Sequence, residues 1–437
     1  MFVGRAIVDA IRAGWNSSIG KNIVSLYTIQ FANYILPLVT IPYLVRVLGP
    51  EKFGAVAFGQ SLMAYFALFT NYGFDWSATR RIAVHQNDSE AVSRTAAAVW
   101  VAKALLCGVG FLALLFLISL IPRIKEVSLL LLILYGIVLG NMLFPTWLFQ
   151  GLERMVAISV INLAMRTLST AGIFALIHRP EDFLLLAGLI SFQWMGAGLI
   201  GVWTALTKLR VRLSLPSRRD VRQALAEGWM LFLSTGAISL YTSGNAFILG
   251  MITNHTVVGY YSAAEKLVKA SLGLLAPLSQ AVYPRVSRLA SISKAQVLQW
   301  GKRLLMVMGG GGLGLSIMFL IGAPVIVRVF LGNEYEASTS VIRILAMLPL
   351  LIATSNVLGV EILFPFHHDR SVLKVVLVAG LINLILAVFF ASKWHAPGMA
   401  LAVVVSEFFV TTAYMVICWH YDLIPLKAFP KSTSREI

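Results

Sequence analysis

Seven of the 35 lysines and arginines in this 437-residue chain, Arg46, Lys103, Arg166, Lys266, Lys269, Arg328 and Arg343, lie inside apolar stretches. A cation at bilayer depth costs several kcal/mol unless it faces water, a partner or a ligand, so each is a functional-site candidate by default. Arg166 has Ser159, Asn162, Ser169 and Thr170 at three- and four-residue spacing, a polar stripe on an apolar helix. It lies about eleven residues from the end of its span, roughly 16 Å deep at the helical rise, too deep to snorkel comfortably. A structural arginine bonding neighbouring carbonyls fits that position; a cavity-lining anion site fits it better, because the stripe is polar over several turns. Glu265 precedes Lys269 by four residues, the favourable ion-pair order, and shares that face with Ser262. Lys266 points about 100° away. A self-neutralised pair accounts for Lys269 and leaves Lys266 over, which favours a cationic lumen with Arg166, Lys266 and Lys269 as the anion-binding set.

Other polar residues follow the same logic. Gln30 and Asn33 with Tyr27 in the first span, Asn162 in the fifth, and Tyr241 and Asn245 with Ser234 in the seventh suit hydrogen bonding to sugar hydroxyls, and equally suit helix packing. Glu265, a deep acid beside Lys269, can alternate between that lysine and a sodium ion or proton, which makes it the ion-coupling candidate; a permanent pair is its alternative. Arg46 and Arg328 stand in similar strings, VRVLGPE and VRVFLGNE, each about one turn from the outer end of its span, where snorkelling accounts for them. Arg343 and Glu361, five helical turns apart with Thr354 between, either line a passage or anchor two ends. Arg46, Arg328 and Arg343 are therefore weaker anion-site candidates.

The elements that must position these residues follow from composition. The chain is 58% hydrophobic and 12% charged, with a mean hydropathy of +0.82, whereas a soluble domain carries roughly 25% charged residues. Apolar segments long enough to cross a bilayer recur at 22–48, 53–72, 95–121, 127–149, 155–177, 183–207, 229–252, 257–283, 304–331, 340–364, 372–391 and 397–419. The fold class is an all-α polytopic membrane protein of about twelve transmembrane helices. With both termini inside, the inner segments hold 23 lysines and arginines and the outer loops 5, a bias that fixes cytoplasmic termini. The formal charge of +16 is then mostly topology, and the Arg210 to Arg222 cluster is an inner loop rather than a nucleic-acid surface. Residues 1–21 read as an interfacial helix, with Val3, Ile7, Ile11 and Trp15 on one face and Arg5, Asp9 and Arg12 opposite.

The polar linker 208–228 divides the spans into two six-helix lobes, 22–207 and 229–419, with a cytoplasmic tail at 420–437. A weak internal repeat lays Val47–Leu62 on Ile252–Leu267, pairing Gly54 with Gly259, Ala57 with Ser262 and Gln60 with Glu265. Even numbers of spans in each half imply parallel repeats related by an axis along the membrane normal, with substrate bound between lobes that rock. Outer loops are too short to carry a catalytic domain. Gly309, Gly311 and Gly314 satisfy GxGxxG without a preceding strand, so helix packing, with Gly310 and Gly314 as a GxxxG, or a flexible point is the better reading. His367, His368 and Asp369 are consecutive and cannot share a helical face, and Cys107 and Cys418 supply neither a disulfide framework nor a metal site. No catalytic set and no metal site is assigned.

Seven stretches, taken together, carry a resemblance over about 22–420: LPLVTIPYLVRVLGPEKFG (36–54), NYGFDWSATRRIA (71–83), PTWLFQGLERM (145–155), EGWMLFLSTGAISLYT (227–242), VGYYSAAEKLVKA (258–270), PLSQAVYPRVSRL (277–289) and RILAMLPLLIATSNVLGVEIL (343–363). The chain resembles the O-antigen and exopolysaccharide repeat-unit flippases of the multidrug/oligosaccharidyl-lipid/polysaccharide exporter superfamily. His367-His368 is a departure from the pattern. The resemblance implies two lobes around a central cationic cavity and alternating access. It further implies a polyprenyl-diphosphate-linked oligosaccharide moved to the outer leaflet of a bacterial inner membrane, a sodium or proton as coupling ion, no other cofactor, and a polysaccharide polymerase and chain-length regulator as partners. Two other readings compete. A drug or metabolite exporter of the same superfamily would prefer an acidic lumen, yet the deep acids are chiefly Glu265 and Glu407. A membrane polymerase or ligase would need outer loops that this chain lacks.

Overall fold

The computed structural model describes residues 18–212, 214–273 and 275–425, and these are helical throughout their regular structure, with no strand among them. Most of the expected interfacial helix at 1–21, and the tail past 425, lie outside the described residues. The main helices are α1 (Ser18–Asn71), α2 (Ser89–Leu120), α3 (Met155–Leu176), α4 (Phe183–Thr207), α5 (Arg218–Ser243), α6 (His255–Leu272), α7 (Ala276–Ala290), α8 (Gly310–Ile326), α9 (Ser338–Leu345), α10 (Leu348–Asn356) and α11 (Asp369–His420), with shorter helical turns between them.

Eight helical stretches among the described residues are long and apolar enough to cross a membrane. Two of them are double. Helix α1 breaks at Gly49 (φ 68°, ψ 172°) and α11 breaks at His395 (φ 53°, ψ −126°), two residues before Pro397. The expected seventh and eighth spans fall outside the eight for different reasons: α5 ends at Ser243 and the rest of the seventh span is a separate short helix, Asn245–Ile252, whereas α6 carries three charges, Glu265, Lys266 and Lys269. Counting each broken helix twice and adding these two recovers the twelve passages read from sequence. The outer surface is apolar, as a lipid-facing surface must be; Leu112, Val156 and Ile321 are each two-thirds or more exposed.

Helix starts follow local chemistry. The Asp88 carboxylate accepts from the backbone N–H groups of Glu90 and Ala91, both at 3.0 Å, at the head of α2. Asn254 accepts from Val257 N–H at 3.0 Å to start α6. At α5 Ser217 and Asp220 cap each other reciprocally, and the Ser217 hydroxyl, donating at 2.7 Å, holds the Asp220 carboxyl below the usual range. The carboxyl-terminal half is less regular, with π turns at Leu305–Gly309, Val327–Leu331 and Val357–Leu363.

Among the described residues the most extensive packing joins α1 to α6, and two glycines permit it. A Cβ added to Gly54 would overlap the carbonyl oxygen of His255, and one added to Gly259 would overlap that of Pro50. The contact is reciprocal: Gly54 pairs with Gly259 and Pro50 with His255 in the internal repeat, so each glycine rests on the carbonyl four residues before its counterpart. The glycine-rich run at 309–314 behaves differently from the GxxxG reading. Gly310 and Gly314 face open space, whereas Gly312 packs 2.6 Å, measured from an ideal Cβ, from the Pro349 carbonyl oxygen. Gly312 lies roughly 200° around the helix from both, so the face that packs is the one opposite the GxxxG pair.

Gly259→Ala is expected to destabilise the detergent-purified protein by about 1–3 kcal/mol, the usual cost of overpacking. Thermal melting checks this, with Gly108→Ala, which meets nothing within 4 Å, expected to melt as the parent does.

Candidate functional site

Helices α1, α3, α4 and α6 enclose a cavity of about 640 Å³ into which Arg166, Lys266 and Lys269 all project. The three cations come from different halves of the sequence: Arg166 from α3, the two lysines from α6. Lys266 Nζ donates to Gln60 Oε1 at 3.2 Å and stands 5.0 Å from the centre of the Phe53 ring. Both partners are neutral, so they orient the ammonium group without cancelling it. Lys269 pairs with Glu265 Oε1 at 2.9 Å, and the Tyr261 hydroxyl donates to the same oxygen at 3.0 Å. Asn245 in turn hydrogen-bonds the Tyr261 hydroxyl, and Glu407 of α11 adds its field at Lys269. Three cations against two carboxylates leave the cavity net positive.

Several sequence expectations change on this geometry. Asn245, read as a glycan contact, is only 3% exposed and belongs to the Asn245–Tyr261–Glu265–Lys269 chain behind the cavity wall. On the Arg166 stripe, Thr170 reaches the cavity, whereas Ser169 faces α4 and donates to the Leu189 carbonyl at 3.1 Å. Asn162, one turn from Arg166, is half-buried and is not part of the cavity lining. The side chains of Gln30, Asn33 and Tyr241 lie outside the described residues. Arg343 and Glu361 do not share a stripe. The turn at Ala346–Met347 and the π turn 357–363 break the helical phase between them, and Glu361 is fully buried, accepting from Ser279 Oγ at 2.5 Å.

Arg46, Arg328 and Arg343 do not join the central three; they line a separate pocket of about 1060 Å³. Arg46 is not free to snorkel, since its Nη2 donates to the Val329 carbonyl. Lys103 lines neither pocket: it is 1% exposed, donates to the Asn141 carbonyl at 2.7 Å and has Asp75 as its electrostatic counterpart. Sequence reasoning missed Gln60 and Gln193 as cavity residues. The repeat carried a signal for Gln60, which aligns with Glu265; Gln193 has no polar residue three or four positions away in its apolar span and carried none.

The fold matches solved transporters. A lipid II flippase MurJ in an inward closed conformation superposes with a TM-score of 0.72 at 14% identity, covering 92% of this chain and 89% of that one. An inward-facing multidrug resistance MATE family transporter of the MOP superfamily gives 0.62 at 14% identity, covering 90% and 96%. Closer in sequence is a protein of Escherichia coli (strain K12) named "Putative O-antigen transporter", 31% identical over 407 residues, 93% of this chain and 98% of that protein. A protein of the same name from Shigella dysenteriae is 28% identical over 89% of this chain and 96% of its own length. Residues 19–290 match a family described as polysaccharide biosynthesis protein, and with more than half of its length inside that match this chain belongs to the family.

Proposed function

We propose that this protein flips polyprenyl-diphosphate-linked oligosaccharide repeat units across a bacterial inner membrane, from the cytoplasmic to the outer leaflet, for O-antigen or another surface polysaccharide. The observation that carries the reading is the net-positive cavity built jointly by Arg166 of α3 and Lys266 and Lys269 of α6. Diphosphate needs compact positive charge at low dielectric, and a guanidinium grips two of its oxygens in parallel. Gln60, Gln193 and Thr170 supply hydrogen-bonding groups for sugar hydroxyls beside that charge. The polyprenyl tail needs no site of its own, because it stays in the bilayer. No bond is made or broken.

The lobes 22–207 and 229–419 contribute one part of the cation set each, so rocking one lobe against the other carries the bound headgroup from one face to the other. The lysine and arginine bias supports cytoplasmic termini, and a polymerase with its chain-length regulator would then take the delivered unit outside. Relatives named as transporters and a lumen with more cations than acids both weigh against the polymerase and the cationic-drug readings.

Arg166→Ala is expected to abolish export at normal membrane abundance, leaving completed lipid-linked units in the inner leaflet, while Arg166→Lys keeps partial activity. Leaflet-specific labelling of the lipid-linked sugar, with immunoblotting of the membrane fraction, decides it; normal outer-leaflet levels in Arg166→Ala would remove the diphosphate role. The sign of the cavity is open to a direct chemical check. With Gln193→Cys, a negatively charged methanethiosulfonate reagent is expected to react several-fold faster than a positively charged one, since a cationic cavity concentrates anions. Equal rates would contradict a cationic lumen. Glu265→Gln is expected to lose the response of transport in liposomes to imposed sodium or pH gradients, and an unchanged response would make the Glu265–Lys269 pair purely structural.

A further inference from the structure

The pocket lined by Arg46, Arg328 and Arg343 is assembled from both halves of the chain by two matching corners. In VRVLGPE (45–51) and VRVFLGNE (327–334) the glycine ends a helical run with nearly the same backbone: Gly49 at φ 68°, ψ 172° and Gly332 at φ 92°, ψ 170°. That region of conformational space is essentially restricted to glycine. The corners lean on each other. An ideal Cβ on Gly332 would lie 3.6 Å from Arg46 Cγ, and one on Gly49 would lie 3.4 Å from Glu334 Oε2. Arg46 is thereby laid across the second corner and bonded to the Val329 carbonyl, beside Arg328.

The result is a pocket with three guanidinium groups, one carboxylate, Glu336, and the polar groups of Asn333 and Thr339. Among the described residues, no hydrogen bond or ion pair engages Arg328 or Arg343. Two cations therefore converge on a space of about 1060 Å³ in which Glu336 is the one carboxylate of the lining and is ion-paired to neither of them. The flank is as informative as the lining. Pro324 forms part of the wall, and beside it Ile321, Val325 and Val329 are 75%, 66% and 56% exposed, a surface for acyl chains. A pocket that is cationic at its rim and continuous with a lipid-facing flank has the shape of a lipid headgroup site.

We propose that Arg46, Arg328 and Arg343 form a second phosphate site, distinct from the central cavity, that holds the phosphate of a lipid headgroup at the end of the bundle bearing the Gly49 and Gly332 corners. Arg328 and Arg343 grip the phosphate oxygens, and Arg46, already tied to the opposite half, holds the pocket together. The site rests on the flippase reading in one respect: under the proposed orientation it lies in the leaflet of delivery, where the diphosphate arrives after leaving the cavity.

Native mass spectrometry of the full-length protein from phosphatidylcholine nanodiscs, titrated with undecaprenyl diphosphate, phosphatidylglycerol or inorganic pyrophosphate, tests it. Arg328→Gln/Arg343→Gln is expected to weaken one of two lipid-binding steps by about tenfold or more, the worth of a lost charge-assisted bond, while Arg166→Gln weakens only the other. Arg328→Lys/Arg343→Lys should recover part of the lost step, which separates binding from misfolding. Displacement by phosphatidylglycerol identifies an ordinary phospholipid as the occupant; displacement by undecaprenyl diphosphate alone identifies the delivered carrier, and either supports the site. Parent-like binding in the Gln double variant overturns it, as does pyrophosphate binding as tightly as the lipids. If Arg166→Gln binds as the parent does, the central diphosphate reading fails and this one stands.

Discussion

Everything in the central cavity depends on the crossing of α1 and α6 at Gly54 and Gly259. Two helical backbones can touch only where neither carries a side chain, and each glycine here rests on a carbonyl of the other helix. At that separation Cα–H groups and carbonyl oxygens are in favourable contact, and the packing is dense enough to fix rotation as well as distance. Rotation is what matters downstream. Lys266 lies seven residues past Gly259 and Gln60 six past Gly54, so the crossing sets which side chains meet two turns later. The Lys266–Gln60 bond is the product of that phase.

The cations inside are held in unequal ways. Lys269 is tied to a carboxylate that accepts from Tyr261, whose hydroxyl is in turn bonded by Asn245, a chain whose members support one another. Among the described residues Lys266 is bonded by an amide oxygen and faces a ring, with Glu265 acting on it through its field alone. A buried ammonium with neutral partners keeps most of its field, and in a low-dielectric cavity that field is worth far more to an arriving anion than at a water-exposed surface. The two lysines, three residues apart, thus divide the work: one stabilises the wall and the other stays available.

Much of this was legible in the sequence because membranes simplify the reading. Apolar length located the helices, and the spacing of Arg166, Lys266 and Lys269 located the lumen they share. The repeat, weak as a string of letters, proved to pair the two glycines that touch. What could not be read were features that depend on helix phase or tertiary neighbours. Asn245 was read as a glycan contact and Gln60 and Gln193 were not; only packing shows that the first is sealed behind Tyr261 while the other two face the cavity. Arg46 and Arg328 looked like snorkelling residues because each was judged on its own span, yet the two matching glycine corners bring them into one pocket. Glu361 was misplaced because an α-helical count was carried through a segment that is not α-helical.

The three π turns at 305–309, 327–331 and 357–363 bear on chain length. A π turn holds one residue more than the α-helical path between the same two points. In an ordinary helix a single-residue insertion turns every later side chain by about 100°; here the extra residue is looped into the turn, and the helix beyond can keep its facing. Each of these turns is a site where the chain can be one residue longer or shorter without rewriting what lies beyond it. All three lie beyond residue 300, so two chains of this fold can keep their helices in step through this half while differing in length inside the membrane itself.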